Sequence, residues 1–438
     1  SRLWMADAFR EMGWEPAPGE TVELKPLAAH LDMPERLHGA LKRYLDIFTE
    51  SGHLEATGTG WTVRQAFPSG DAEALSDEVL AAHPDARAKV EMVRNCGRNL
   101  AAILQGTRNP VEDLFPGGDL TLARELYRYS PEAQTFNRLI AETVQRLSDI
   151  RRPLRILEIG GGSGGTTDHV LTALQGRDFD YTFTDIGGAL VARASEEFAG
   201  RGTMQFRTLD LEDEPGAQGF ADGAYDIVIG ANVVHATADL GQTAGRIRDL
   251  LSPGGMGLIL EVTEPEIWVD VTFGLTEGWW LFTDRDLRPE YPLIETDDWL
   301  NLFAKTGFEA APLGGRHANS RQMIFAARKP LDTGLLAGTE WVVLGDGETG
   351  LDAQGATVKT GLEAVGPETT GILDLRALGA GAEASEAEPV LSQMRDEVEQ
   401  KLGCKVPLVW FVRFQRRTNR WPRPGISTER AEARTGTQ

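Results

Sequence analysis

The feature that most constrains the fold is an alternation of short apolar runs with helical patterns, which begins at Leu154 and continues to about residue 260. Short apolar runs separated by amphipathic helical segments are typical of parallel strands joined by crossover helices. The pattern therefore predicts an α/β fold with a doubly wound, Rossmann-like parallel sheet. The five predicted strands lie at residues 155–159, 181–185, 204–208, 225–229 and 256–260.

The end of this sheet differs from the repeating pattern. Two further strand-like stretches lie between residues 307 and 328, and a polar segment around Arg316 to Arg321 separates them. This arrangement predicts an antiparallel hairpin. A hairpin at the end of a parallel sheet favours a methyltransferase over a nicotinamide dehydrogenase.

A glycine-rich segment follows the first predicted strand and opens a helix. It reads Glu-Ile-Gly-Gly-Gly-Ser-Gly-Gly-Thr-Thr over residues 158–167. Gly160, Gly162 and Gly164 permit a tight turn in which the backbone approaches a bound ligand closely. The segment also satisfies the dinucleotide-binding pattern when Gly165 is counted in place of Gly164, and a strand-to-helix turn without a ligand is the simpler alternative.

Acidic residues follow the next two predicted strands, at the carboxyl edge where open α/β sheets bind their ligands. Asp185 is placed to accept hydrogen bonds from ribose hydroxyls, and Asp210 could accept from an adenine amino group while Leu211 packs on the ring. Glu158 would lie beneath the methionine end of a sulfonium cofactor, which has no pyrophosphate to bind. Each aspartate could instead be a helix cap or a turn residue.

A histidine and a glutamate follow the fourth and fifth predicted strands. His235 lies in the segment Asn-Val-Val-His-Ala-Thr at residues 232–237, and Glu261 ends the fifth strand. A histidine beside a carboxylate can act as a general base, because the carboxylate fixes the tautomer and stabilises the imidazolium. A polar pair that caps the sheet is an equally simple interpretation. Metal binding is not predicted, since no third ligand stands at a compatible spacing.

The segment after the fifth strand, residues 268–284, is rich in aromatic side chains. It is too aromatic for a surface loop and too interrupted for a core helix. The segment could line a pocket for an acyl chain, although core packing is the more frequent role of such aromatic residues.

The flanking regions predict further domains. Residues 1–120 are predicted to form a mostly helical cap or lid domain, and the helix followed by strands within residues 23–63 is a winged-helix pattern. Residues 121–330 form the predicted core, residues 331–414 a small α/β unit, and residues 415–438 a disordered tail.

Charge and cysteine content exclude other classes of function. The formal net charge is −22, and Asp46 and Glu50 stand beside Lys42 and Arg43 on the winged-helix segment, so nucleic-acid binding is not expected. Two cysteines cannot form a disulfide framework. The sequence has no signal peptide and no long apolar run, which predicts a cytoplasmic protein without membrane attachment. The missing initiator methionine suggests a piece of a longer polypeptide.

Taken together, these motifs resemble the carbon-methylating domain of modular polyketide synthases, a class of S-adenosylmethionine-dependent methyltransferase. The resemblance covers roughly residues 1–330, and the combination of motifs is more specific than any one of them. The matching motifs lie at residues 157–160, 164–167, 232–237, 251–255, 260–263 and 274–280, with 96–98 and 114–118 in the helical cap.

The resemblance implies methyl transfer from S-adenosylmethionine to the α-carbon of a β-ketoacyl chain on an acyl carrier protein. It implies that His235 is the base that removes the α-proton and that Glu261 orients it. Tyr129, Asn232 and Trp279 are implied as contacts to the substrate, the enolate or the cofactor. Residues from Trp341 onward resemble the structural, non-catalytic half of a ketoreductase domain.

Three alternatives stay open from the sequence. An O-methyltransferase that acts on a β-hydroxyacyl carrier protein could use the same base pair. A catalytically silent domain could bind the cofactor or act as a scaffold, although the intact motifs argue against it. A nicotinamide dehydrogenase is disfavoured by the terminal hairpin and by the absence of a Tyr-x-x-x-Lys arrangement in the sheet domain.

Overall fold

The computed structural model of the protein describes residues 1–149, 153–313 and 320–330, and five short strands between residues 340 and 430. The chain divides into two compact units, Ser1–Pro330 and Leu331–Gln438. The larger unit contains all the candidate site residues. None of the helices in the described part of the chain is long and apolar enough to cross a membrane.

The N-terminal part of the larger unit is mainly helical and has its own apolar core. Phe9, Tyr44 and Phe48 are fully buried there. This core also includes Val271 and Leu275, which come from much later in the chain. The elements of this part are α1 (Arg2–Glu11), β1 (Thr21–Val22), α2 (Leu24–His30), α3 (His38–Glu50), β2 (Leu54–Ala56), β3 (Trp61–Val63), α4 (Ala72–Ala82), α5 (Arg87–Gly97), α6 (Leu100–Leu104), α7 (Pro110–Leu114) and α8 (Thr121–Arg124).

The helix α3 precedes the antiparallel β2–β3 hairpin, and β1 completes a three-stranded sheet in the order β1-β3-β2. The two basic residues of α3 are engaged in ion pairs with carboxylates. Lys42 pairs with Asp46, and Arg43 pairs with Glu50 and Asp270. Both cations of α3 are therefore neutralised by carboxylates, which disfavours contacts between this helix and the phosphates of a nucleic acid.

A seven-stranded sheet forms the centre of the unit. Its strands are β4 (Leu154–Ile159), β5 (Phe179–Asp185), β6 (Thr203–Thr208), β7 (Tyr225–Ala231), β8 (Leu251–Val262), β9 (Glu309–Leu313) and β10 (Gln322–Arg328). They lie in the order β6-β5-β4-β7-β8-β10-β9. The first five in this order are parallel, and β10 is antiparallel to both β8 and β9. The predicted doubly wound sheet with a terminal hairpin is confirmed.

Helices cover both faces of this sheet. Ile156 and Leu157 are consecutive in β4 and enter different apolar cores, as the two-residue period of a strand requires. One core contains α9 (Pro131–Ser148), α10 (Gly165–Ala173) and α11 (Gly188–Phe198), and the other contains α12 (Leu240–Leu250) and α14 (Thr296–Lys305). The carboxyl ends of β4, β5, β7 and β8 therefore meet at one edge between the two layers.

The connection from β8 to α14 carries the aromatic segment. It contains the short helix α13 (Ile267–Asp270) and the 3-10 turns Phe273–Leu275 and Glu277–Trp280. A Cβ atom on Gly39 would come within 2.5 Å of the Trp280 ring, so this segment packs closely on the start of α3.

The strands of the smaller unit are β11 (Glu340–Leu344), β12 (Thr357–Thr360), β13 (Gly371–Asp374), β14 (Trp410–Phe411) and β15 (Glu429–Arg430). They form a five-stranded sheet in the order β12-β11-β13-β14-β15. Its pairs are parallel except β14 with β15. The two-residue strand β15 lies within the tail that the sequence predicts to be disordered, and the rest of that tail lies outside the described residues.

Candidate active site

The glycine-rich turn after β4 has a backbone that requires glycine. The φ angle is +59° at Gly160, +54° at Gly162 and +75° at Gly164, in the left-handed region that strains other residues. A Cβ atom on Gly160 would overlap the Val233 side chain, and one on Gly164 would come within 2.6 Å of Phe198. A Cβ atom on Gly162 would meet nothing closer than 3.8 Å, so the turn is open at Gly162.

Glu158 lies beneath this turn and is buried. Its Oε2 atom accepts hydrogen bonds from the Thr167 hydroxyl at 2.6 Å and from the Tyr181 hydroxyl at 2.7 Å. Burial raises the pKa of Glu158 to about 7, although both hydroxyls act in the opposite direction. The carboxyl is therefore held by neutral donors under the place where a cationic ligand is predicted.

Asp185 connects the end of β5 to the glycine-rich turn. Its Oδ2 atom accepts a hydrogen bond from the Gly162 amide at 3.0 Å, and its Oδ1 atom accepts from the Gly187 amide at 2.8 Å. Each carboxylate oxygen keeps a further lone pair. The side chain thus forms a local turn and can still accept hydrogen bonds from a ligand.

The structure places Asp210 and Leu211 in different environments. Asp210 is half-buried, and its Oδ1 atom accepts from the Glu212 amide at 2.8 Å in a local turn. Leu211 is 7% exposed and packs in the apolar core that contains α12. The side chain of Asp210 is therefore more accessible to an adenine ring than the side chain of Leu211.

His235 and Glu261 form a buried pair at the ends of β7 and β8. The distance from His235 Nδ1 to Glu261 Oε2 is 2.5 Å. The other carboxylate oxygen accepts from the amides of Val234 at 2.8 Å and Val233 at 3.2 Å. In the described part of the chain, no group of three or more His, Cys, Asp or Glu side chains is arranged to hold a metal ion.

Asn232 directly follows β7, three residues before His235, and has a strained conformation. Its φ angle is +53°, which is unusual for a residue other than glycine and is found at functional sites. Its Nδ2 atom donates to Gln322 Oε1 at 2.8 Å. Its Oδ1 atom is buried and has no hydrogen-bond partner among the described residues, so it can accept from a ligand.

Trp279 packs against His235. Its ring contacts the His235 ring edge-to-face, with a centroid distance of 5.3 Å. Its indole nitrogen is buried and has no acceptor within the described residues, whereas that of Trp280 donates to the Gly274 carbonyl at 2.8 Å. Trp279 is therefore close to the predicted base and carries an unused donor.

Tyr129 is not brought into this group. Its side chain is 56% exposed, and the Arg128 guanidinium lies 5.5 Å from its ring. Within the described chain, no hydrogen bond or ring contact joins it to His235 or Glu261. A role in substrate binding remains a prediction for this residue.

Three further side chains around the site were not predicted. Ile186 follows Asp185 and is 69% exposed, and an apolar residue directly after a strand-end acid is a signal that could have been noticed. Gln322 binds Asn232 from 90 residues away, and Arg288 donates to the His235 carbonyl from 53 residues away. No local pattern in the sequence marks contacts at such separations.

These features fit S-adenosylmethionine, the cofactor that the resemblance implies. The turn is open at Gly162, Asp185 can accept hydrogen bonds from hydroxyls, and Ile186 offers an apolar surface beside it. The free Oδ1 atom of Asn232 can accept from an ammonium group. Glu158 supplies a buried carboxyl whose ionised form a cation would favour.

Comparison with known proteins gives the same assignment. A family model described as a methyltransferase domain matches residues 157–256. The chain is 35% identical to the solved CurJ carbon methyltransferase, with a TM-score of 0.72 over 75% of this chain and 89% of that one. The citrinin polyketide synthase CMeT domain is 25% identical, with a TM-score of 0.68 over 75% of this chain and 87% of that one.

Curated relatives are much longer proteins. The non-reducing polyketide synthase atr1 of Stereocaulon alpinum is 32% identical over 342 residues, which is 75% of this chain. The chain spans only 13% of the length of that synthase. The sequence-based predictions of the fold class, the cofactor and the type of enzyme are confirmed. The chain belongs to the S-adenosylmethionine-dependent carbon methyltransferase domains of polyketide synthases.

Proposed function

We propose that this domain methylates the α-carbon of a β-ketoacyl chain that is held as a thioester on an acyl carrier protein. The observation that carries the proposal is the 2.5 Å contact between His235 Nδ1 and Glu261 Oε2 at the edge of the sheet next to the glycine-rich turn. The proposal implies the carrier protein and neighbouring synthase domains as partners, and the cytoplasm as the compartment.

The carboxylate of Glu261 sets the tautomer of His235. A carboxylate beside Nδ1 favours a proton on that nitrogen, which leaves the lone pair of Nε2 to act as a base. Nε2 makes no hydrogen bond within the described chain. Because Glu261 is fully buried, its charge also stabilises the imidazolium that forms.

The substrate loses a proton and gains a methyl group at the same carbon. His235 Nε2 takes the α-proton, and the electron pair of the C–H bond moves into an enolate shared by the ketone and the thioester. The unused indole N–H of Trp279 is a candidate donor to the enolate oxygen. When bound, S-adenosylmethionine would supply the electrophilic methyl group: the enolate α-carbon would bond to this methyl as the methyl–sulfur bond breaks, with its electron pair left on sulfur and the demethylated cofactor as leaving group. His235 Nε2 would then pass its proton to solvent.

Deuterium exchange at the α-carbon tests the base without requiring methyl transfer. A β-ketoacyl carrier protein in D2O, with the wild-type enzyme and the demethylated cofactor, should exchange its α-protons faster than in buffer. His235→Ala should abolish this excess and should still bind the cofactor by calorimetry. His30→Ala is a matched control, because His30 is exposed and far along the chain from the pair.

Several results would contradict the proposal. Unchanged exchange in His235→Ala would remove this residue as the base. Methylation of oxygen in a β-hydroxyacyl carrier protein, detected by intact mass and fragmentation, would favour the O-methyltransferase. A wild-type protein that binds the cofactor but neither exchanges nor methylates would be a silent domain.

A further inference from the structure

Arg288 is a fully buried cation that the proposed chemistry does not use. Its Nη1 atom donates to the His235 carbonyl oxygen at 2.9 Å. Its Nη2 atom donates to the carbonyl oxygens of Thr237 at 2.8 Å and Ala238 at 2.9 Å. Its Nε atom donates to Asp284 Oδ1 at 2.6 Å, which balances its charge. The guanidinium therefore binds three backbone carbonyls of the segment that carries His235.

That segment has little regular structure of its own. After the strained Asn232, only the three-residue 3-10 turn Val234–Ala236 orders the backbone. The carbonyl groups at the end of such a turn have no partners within it, and buried carbonyls without partners are unfavourable. Arg288 satisfies the carbonyls of His235 and Thr237 from outside the turn, whereas the Ala238 carbonyl also accepts from the Thr283 amide at 2.7 Å.

Glu261 and Arg288 hold the two ends of the turn through opposite kinds of group. Glu261 accepts from the amides of Val233 and Val234 and from the His235 ring. Arg288 donates to the carbonyl oxygens that follow. The carboxylate therefore fixes the ring and the start of the turn, and the guanidinium fixes the backbone at His235 and after it.

We propose that Arg288 is a positioning residue for His235, which keeps Nε2 of the imidazole at a fixed place beside the substrate. This inference rests on the proposed role of His235 as the base. The planar fork of arginine can reach three carbonyl groups and a carboxylate together. A lysine would keep the charge beside Asp284 and lose most of these contacts.

Kinetics on two variants separate positioning from stability. Arg288→Lys and Arg288→Met are assayed for methyl transfer to a β-ketoacyl carrier protein, with the folded fraction counted from cofactor binding. We expect kcat per folded molecule to fall about a hundredfold, because a displacement of about 1 Å in a reacting group can cost that much. The KM for the β-ketoacyl carrier protein and the Kd for S-adenosylmethionine should stay unchanged.

Arg285→Met is the matched control. Arg285 is exposed, lies on the same segment and packs over the same Phe282 ring as Arg288, at 4.1 Å and 5.0 Å respectively. It makes no hydrogen bond to the His235 turn in the described chain. This variant should keep the wild-type kcat.

The decisive measurement adds Arg288→Lys to a His235→Ala background. If Arg288 acts only through His235, the double variant should be no slower than His235→Ala alone, since coupled residues are not additive. The inference would be overturned if Arg288→Lys lowered kcat by the same factor in the wild type and in His235→Ala, or if Arg288→Lys alone kept the wild-type kcat. If Arg288→Met does not fold, the lysine variant decides. Exchange of the substrate α-protons at the wild-type rate in His235→Ala would instead refute the proposed function, and the deuterium-exchange experiment measures this independently of kcat.

Discussion

Replacement of Glu158 by glutamine should change how the stability of the fold depends on pH. Burial raises the pKa of this carboxyl from its ordinary value of 4.5 to about 7. A group whose pKa is raised in the folded state stabilises the fold below its unfolded-state pKa, and this contribution is lost as the pH rises through the folded-state pKa. Glutamine keeps an acceptor oxygen for Thr167 and Tyr181 and removes the titration.

The size of the effect follows from the two pKa values. One pKa unit corresponds to about 1.4 kcal/mol, so a change from 4.5 to about 7 corresponds to about 3 kcal/mol. Between about pH 4.5 and pH 8, the free energy of unfolding of the wild type should therefore fall by about 3 kcal/mol relative to that of Glu158→Gln. All other titrating groups are shared and cancel in the difference.

Urea unfolding of both proteins at several pH values, followed by tryptophan fluorescence, measures this difference. Glu78→Gln is the control, because Glu78 is exposed and the exchange should leave the pH dependence unchanged. Parallel stability curves for the wild type and Glu158→Gln would refute the reasoning. Such a result would mean that Glu158 ionises in the folded protein as it does in the unfolded chain.

Three further predictions concern the turn, the pair and the smaller unit. Gly176 has φ +79° and open space around it, so Gly176→Ala should lower the free energy of unfolding by about 1 kcal/mol. Gly160→Ala should lower it by about 1–3 kcal/mol more, because the added Cβ would overlap the Val233 side chain. Equal destabilisation of the two variants in urea unfolding would contradict this. His235→Ala should lose roughly a hundred- to ten-thousandfold in kcat and Glu261→Gln less, if Glu261 only orients the base, as steady-state assays would show. Removal of residues 331–438 should leave methyl transfer unchanged by intact mass; loss of transfer by a truncated protein that still binds the cofactor would implicate the smaller unit.

The sequence predicted the sheet and the residues at its strand ends because both depend on local patterns. Strand and helix periodicity located the parallel strands, and each strand end carries its own side chain to the same edge. His235 and Glu261 lie in contact for this reason, although they are 26 residues apart. The position of β10 between β8 and β9 was not predicted, since strand order depends on packing between distant segments.

The remaining parts of the site depend on contacts that no spacing encodes. Glu158 was predicted under the cofactor, but its hydroxyl partners come from a helix and from the next strand. Leu211, whose contact with an adenine ring stays a prediction, is 7% exposed and packs in the core that contains α12, and no local spacing encodes that packing. Arg288 lies in a charged stretch that is typical of a solvent-exposed loop, yet the fold buries it completely.

The apolar core of the N-terminal part has a consequence for the exchange of domains between synthases. Val271 and Leu275 complete that core, and Gly39 leaves room for the Trp280 ring. A graft that replaces only residues 1–120 would therefore pair a foreign cap with native residues that evolved against another surface. We expect chimaeras to stay folded when the segment from α13 to Trp280 is transplanted together with the cap, so the unit of exchange is discontinuous in the chain.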